Sequence, residues 1–488
     1  MKAFNLAVAF ILCSTLPFAA CSFSRAIQSE RSDLFSAVSG PLHACSANPR
    51  YFCDQRERAI YLTGSHTWPN LIDRGPTDPP PTFDFDLYLD LLRSSNHNFI
   101  RLWSRHVTRY QHYGLDILYG TPLPWPRTGP GTALDGQARF DLSQFDQQYF
   151  KRLRERVSKA LERGMYVSIM LFGGHSAILE WPGNPFNVQN NVNGIDGDPD
   201  GNDKGDIQTL PLPGGVDAIQ KAYVRKVIDA VGDFDNVLFE ISNESESNSI
   251  AWQSRLVTFI KDYEAGRIDG ITRKQHPVGV TGFWDTDNAA LLQSPADWIS
   301  PGAVFADSSA DPYIEDPPPA DGCKVSILDS DHLFFQSIIG NPAAARNWVW
   351  KSFLRGHNPI LMENLFFDST GRAVPVTTDD SGFVAARDAL GQTRRYAARI
   401  NLLAMVPRGD LSSTGYALAD PGSEYLVYQP ASGSFTVKLF AARYSYEWFN
   451  ASSGSVVDTG TFTAGPQSDR TFAPPFDGDA VLYLKRLN

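Results

Sequence analysis

Eight short apolar runs, each followed by a helical pattern or a long loop, divide residues 59–404, and few folds accept such a series. The first run, 59–68, turns polar at Gly64-Ser65-His66-Thr67-Trp68. A Pro-rich link at 78–81 leads to a helical pattern over 84–95, and 99–104 is a second strand. Apolar residues at helical spacing (Phe145, Tyr149, Leu153, Val157, Leu161) predict a helix over 144–163, stopped by Gly164. A third strand at 165–172 is followed by a Gly/Asp/Asn loop over 173–215 and a helix over 216–231. The fourth strand occupies the 236–245 stretch. Then come a helix near 249–263, strands at 277–283, 304–307 and 324–329, a helix over 342–355, an eighth strand at 359–363 and a last helix at 388–404. Eight strands with intervening helices predict an α/β fold of the (β/α)8 barrel kind. After Pro407 the pattern changes to short alternating runs at 425–428, 434–437, 446–449 and 481–484, which predict a small antiparallel β-sandwich. The expected organisation is a signal segment at 1–26, a lead-in at 27–56, a barrel at 57–407 and a sandwich at 408–488.

The signal segment is read from Lys2, the apolar stretch 6–16 and Phe18-Ala19-Ala20-Cys21. Ala-Ala-Cys resembles a lipobox, which would make Cys21 the lipidated first mature residue. Phe18 stands where Leu is usual, so export without a lipid is the main expectation and an anchor at Cys21 the alternative. The destination is then extracellular or the cell envelope, and no transmembrane segment is expected. In such an oxidising space Cys45 and Cys53, close together in one loop, are expected to pair, leaving Cys323 single. A net charge of −11 excludes a phosphate-binding surface and with it nucleic acid as a partner. Aromatic residues make up 12% of the chain, a supply that suits stacking on sugar rings as well as ordinary cores.

The chemistry is expected where apolar strands turn polar, because barrel enzymes keep their reacting groups at the C-terminal strand ends. The fourth strand ends in Asn243-Glu244, and strand alternation places Leu238, Glu240, Ser242 and Glu244 on one face. The seventh ends in Asp329-Ser330-Asp331-His332. Asp329 follows directly on the apolar run; Asp331 shares its parity further out. Glu363 ends the eighth strand, either as a site carboxylate or as the partner of an arginine. Glu240, deeper in the barrel, calls for a cation, and Arg101 is available. His66, Trp68, Trp103, His175, Trp284 and His332 fall at or just beyond strand ends and form a candidate sugar-binding rim together with Asn243, Arg101 and Glu363. The loop 196–203 resembles a calcium loop of the Asp-x-Asp-x-Asp-Gly kind. Counted from Asp196, position 12 falls on Ile207 where a Glu is required, so the loop is read as a solvated turn. No metal and no cofactor are expected.

The runs Leu62-Thr63-Gly64-Ser65-His66-Thr67-Trp68, Asn243-Glu244, Leu328-Asp329-Ser330-Asp331-His332-Leu333 and the Trp-rich 348–356 segment resemble secreted barrel proteins of the glycoside hydrolase clan A type, within the apiosidase-like and uncharacterised branch. The last eighty residues resemble the small sandwich labelled a putative collagen-binding domain of a collagenase. The resemblance implies Glu244 as general acid/base and Asn243 as the contact to the sugar hydroxyl beside the reacting carbon. The nucleophile would be Asp329, with Asp331 as the alternative; most of the clan has Glu at this place. The implied activity is hydrolysis of O-glycosidic bonds in an extracellular polysaccharide or glycan, with retention through two carboxylates. The alternative is a non-catalytic glycan- or matrix-binding protein on a degenerate barrel. Sugar, linkage, exo or endo action and oligomeric state stay open, as does inversion in place of retention, since an Asp is one methylene shorter than the clan's Glu.

Overall fold

The computed structural model describes residues 38–487 apart from 112–116, 175–179, 283–287, 304–311, 334, 364–379 and 467. Eight parallel strands close into a barrel: β1 (Gly64–His66), β2 (Phe99–Trp103), β3 (Tyr166–Gly173), β4 (Val237–Asn243), β5 (Val278–Thr281), β6 (Trp298–Ser300), β7 (Val325–Asp329) and β8 (Asn358–Met362). β8 returns to β1 with Ile360 opposite Gly64 and Met362 opposite His66. The helices between and after them are α1 (Phe85–Ser94), α2 (Gln147–Glu162), α3 (Val216–Val231), α4 (Ile250–Glu264), α5 (Asn288–Gln293), α6 (Pro312–Glu315), α7 (Pro342–Leu354) and α8 (Ser381–Ala397).

Period two explains why each strand carries two kinds of residue. Val237, Phe239 and Ile241 of β4 join the layer between sheet and helices, whereas Leu238 joins Leu62, Phe99, Tyr166, Trp298, Val325 and Ile327 inside the barrel. Trp298 is the largest of these plugs. A Cβ on Gly279 would lie 2.0 Å from its indole, so β5 carries glycine where the ring crosses. Asp84 and Asp146 cap α1 and α2 by accepting from Leu87 N and Gln148 N.

Three boundaries differ from the sequence expectation. The 59–68 run divides: Ala59–Ile60 pairs in a small antiparallel sheet with Phe52–Cys53 and His43–Ala44, and only Gly64–His66 enters the barrel. The sixth strand is Trp298–Ser300, paired with β5 through Gly279 and with β7 through Val325; the 304–307 run lies outside the described residues. The last helix begins at Ser381, because the Asp380 carboxylate accepts from Gly382 N and Phe383 N. Cys45 and Cys53 form a disulfide in the small sheet, and Cys323 is free and exposed. Cys21 lies outside the described residues. Among the described residues no helix is long and apolar enough to cross a membrane.

The C-terminal strands are β9 (Val406–Pro407), β10 (Ala417–Asp420), β11 (Glu424–Gln429), β12 (Phe435–Leu439), β13 (Ala442–Asn450), β14 (Ser455–Ala464), β15 (Ser468–Phe472) and β16 (Ala480–Arg486). Six form an antiparallel sheet in the order β9-β10-β11-β16-β13-β14, and β12 pairs with β15 over one face of it. Alternation again sorts the residues. Tyr425, Val427, Trp448 and Leu482 face β12 and β15, while Leu426, Tyr428, Phe449 and Val481 face α7 and α8 of the barrel.

Candidate active site

Side chains from the C-terminal ends of five barrel strands converge. β1 brings His66, β2 Arg101 and Trp103, β4 Glu240 and Asn243, β6 Ser300, and β7 Asp329 with the turn that follows it. Glu244 stands one residue beyond β4 with φ +45°, in the left-handed region that an ordinary side chain occupies only where its surroundings force it. The end of β3 must approach closely for this: a Cβ on Gly174 would lie 1.8 Å from the Asn243 carbonyl oxygen.

Below the mouth, Arg101 is buried against Glu240, its Nε 2.7 Å from Oε2. Its Nη2 donates to Asn243 Oδ1 at 2.6 Å, and its Nη1 lies 3.4 Å from both Asp329 Oδ2 and Asp331 Oδ2. One guanidinium thus faces three carboxylates, an excess of negative charge that has to be relieved by other donors or by a proton.

The donors go to Asp329. Trp103 Nε1, which can only donate, gives its hydrogen bond to His66 Nδ1 at 2.8 Å. The ring proton therefore sits on Nε2, which donates to Asp329 Oδ1 at 2.9 Å. The backbone N–H of Asp331 donates to the same oxygen. Asp329 is 1% exposed, and burial alone would raise its pKa. The hydrogen bond from His66, with the Arg101 guanidinium nearby, instead holds it well below the usual carboxylate range.

Asp331 and Glu244 are left with the opposite balance. Burial, and then the charge of Asp329, pushes Asp331 up to about 6 against the pull of Arg101. Burial, and then the charge of Asp331, holds Glu244 well above its ordinary value, with Arg105 and Arg101 opposing. Asn243 fixes the geometry. Its oxygen accepts from Arg101 and from His332 Nε2 at 3.0 Å, so its amide is turned to donate to Glu244 Oε2 at 3.1 Å. His332 accepts from Ser300 Oγ through Nδ1, and burial holds its pKa down to about 3, so it is neutral at ordinary pH.

The expected rim is redistributed. Trp103, His66 and His332 are buried and serve the carboxylates, whereas Trp68 keeps a partly exposed ring at the mouth. Glu363 follows the second of its two readings, the partner of an arginine. It is fully buried and taken by Arg387 of α8 in a two-pronged pair at 2.8 and 2.6 Å, so it braces α8 against β8. Arg101 is likewise withdrawn from the rim, because Glu240 and Asn243 occupy it. His175 and Trp284 lie outside the described residues. Sequence reasoning missed Arg105 and Glu180, an ion pair at the mouth whose guanidinium also lies 4.7 Å from the Tyr110 ring centre. Arg101, Trp103 and Arg105 share strand parity, which was the available signal for Arg105. Glu180 sits in a long loop with no periodicity to mark it.

No family model matches the chain, and comparison with curated protein sequences finds no match either. Among solved structures the fold is similar to one described as a glycoside hydrolase, at 13% identity over 92% of this chain and 97% of that one, with a TM-score of 0.61. It is also similar to a glycoside hydrolase family 5 protein from Bacteroides vulgatus ATCC 8482, at 14% identity over 92% and 93% of the two chains, with a TM-score of 0.58. At these identities the likeness establishes the shared fold, a (β/α)8 barrel.

Proposed function

We propose that the chain is a glycoside hydrolase that cleaves O-glycosidic bonds in an extracellular glycan with retention, using Glu244 as acid/base and Asp331 as nucleophile. One arrangement carries the reading: Glu244 and Asp331 stand together at the C-terminal mouth of the barrel, Glu244 held well above its ordinary value by burial and by the charge of Asp331, and Asp331 pushed up to about 6 by burial and by the charge of Asp329. The reading assigns Asp331 as the ionised carboxylate that attacks carbon and Glu244 as the carboxylic acid that protonates the leaving oxygen. Asp331 displaces Asp329 from the expected role because Asp329 is fully enclosed and already occupied by His66. The charge of Asp331 is also a larger influence on Glu244 than that of Asp329. Asn243, whose amide points to Glu244, is placed to meet the hydroxyl beside the reacting carbon, and Trp68 offers the sugar a ring face.

The finer placement in the apiosidase-like branch belongs to the same proposal. Its support is that His66, Asp329 and His332, which carry the branch motifs, all converge on this site. The Cys45–Cys53 disulfide supports an exported protein. The sandwich is assigned an accessory, bracing role; among its described residues no feature points to collagen.

Glu244→Ala tests the reading. Turnover of glycosides with poor leaving groups should fall by roughly 10²–10⁴, activated aryl glycosides should keep far more, and azide should rescue them. Proton NMR of the first product anomer should show retention. If the wild-type protein binds a glycan yet releases no product across a panel of polysaccharides and aryl glycosides, the non-catalytic alternative replaces this one.

A further inference from the structure

The long loop between β3 and β4 gathers three carboxylates that the reaction does not use. Oxygens of Asp198, Asp200 and Asp206 all lie within 4.8 Å of one another. Among the described residues none of the three pairs with a lysine or arginine. Asp198 is only 9% exposed, and its Oδ1 is buried with no hydrogen-bond donor, while Oδ2 accepts from Asp203 N at 2.9 Å. A buried, unpaired carboxylate oxygen facing two further carboxylates is costly unless a cation sits among them.

The register supplies that cation's identity. Counted from Asp196 the loop fails as a calcium loop at Ile207. Counted from Asp198, positions 1, 3, 5 and 9 are Asp198, Asp200, Asn202 and Asp206, and the carbonyl of Lys204 takes position 7. Position 6, where such loops need a left-handed residue, is Asp203 with φ +61°. We propose that Asp198, Asp200 and Asp206, completed by the Asn202 side chain and the Lys204 carbonyl, bind one calcium ion. All donors are oxygens, which excludes the soft-ligand metals, and a site of three carboxylates, a side-chain amide and a carbonyl suits calcium better than magnesium, which keeps several of its waters. Position 12 is Thr209 in place of a bidentate Glu, which puts the affinity in the ~10⁻⁴–10⁻³ M range of extracellular modules.

The ion would secure a functional loop. Glu180, the partner of Arg105, lies on it, and so does Gln208, which donates to Gly173 O at 2.6 Å and accepts from Ser245 Oγ at 2.9 Å, beside Glu244. Gly197 and Gly205 pack on Trp181 so closely that added Cβ atoms would lie 2.8 and 2.4 Å from its ring. Trp181 is therefore an antenna for a lanthanide in the site. The test uses the mature protein, stripped with a chelator and desalted, and its readout is independent of hydrolysis. Terbium should give saturable, indole-sensitised emission that calcium displaces and magnesium does not, and calcium should raise the Tm. Asp200→Asn, at an exposed position that spares folding, and Asp206→Asn should each weaken calcium binding at least tenfold. Absence of saturable emission and of a calcium-dependent Tm up to about 10 mM, or emission unchanged in both variants, overturns the proposal.

Discussion

Asp329 and Asp331 are two residues apart, yet their surroundings shift their proton affinities in opposite directions, and single substitutions separate the roles proposed for them. With Asp331 as nucleophile, activity needs it ionised, so kcat/KM should fall as pH drops below about 6; it should fall again at higher pH as Glu244 loses its proton. Asp329→Asn removes a negative charge beside Asp331, so the acid limb should move down by roughly one pH unit while turnover persists. Asp331→Asn should abolish measurable turnover. The reverse pattern would return the nucleophile to Asp329. Ionising a carboxylate whose pKa is raised on folding costs stability as pH climbs through that value, so Asp331→Asn should raise Tm at pH 8 and leave it unchanged at pH 4. The Arg101–Glu240 pair answers to a different rule. Arg101→Leu leaves a buried carboxylate without its cation and should cost about 3–5 kcal/mol. Urea denaturation of Arg101→Leu/Glu240→Leu should recover most of that loss. This pair was legible because a carboxylate inside a barrel demands a cation and Arg101 points inward from β2 by parity. The division of labour between Asp329 and Asp331 was not, since it depends on His66 and Trp103, which reach Asp329 only through closure of β8 onto β1.

Elements announce themselves in the sequence in proportion to their length and burial. β3 and β4, seven or eight residues long and buried on both faces, read as unbroken apolar runs. β6 contributes only Trp298–Ser300 and fills its part of the barrel with one indole, so no run marks it, and the apolar stretch at 304–307 drew the expectation away. The signal that belongs to β6 lies on β5 instead, in the glycine that makes room for the ring. Gly279→Ala should destabilise the protein by about 1–3 kcal/mol or more, because a Cβ 2.0 Å from a plug this deep cannot be relieved by a surface movement. Combining it with Trp298→Leu should restore part of the loss in chemical denaturation; if Gly279→Ala alone is silent, the packing described for β5 and β6 is wrong. The small sheet at the barrel's lower end was legible only as a disulfide, because its strands are two residues long and lack a period.

At the scale of the whole molecule, the sandwich and the barrel share a core instead of touching at a rim. Trp350 of α7 is fully buried and stacks on Tyr428 of β11 at 5.9 Å, and Tyr396 of α8 meets Phe449 edge-on at 5.4 Å. Gln392 donates to Ala451 O at 3.0 Å, and Arg346–Asp479 and Arg399–Glu447 close the border at 3.0 and 2.9 Å. One apolar cluster therefore runs from β8 through α7 and α8 into the six-stranded sheet. Cooperativity should follow that continuity, and calorimetry should show a single endotherm. The discriminating variant lies away from the border. Trp448 packs between the two sheets of the sandwich, edge-on to Phe435 at 5.9 Å, and truncating it should cost about 3–5 kcal/mol. If the two parts unfold together, Trp448→Ala lowers the temperature of the whole endotherm, and activity at the barrel mouth is lost at that same lower temperature. If they are independent, the sandwich melts early as a separate transition and activity survives to the wild-type temperature. The shared cluster calls for the first result, because a sandwich that melted alone would strip Trp350, Tyr396 and Leu390 of the apolar cover that orders α7 and α8. Those helices brace β8, and β8 closes the barrel onto His66.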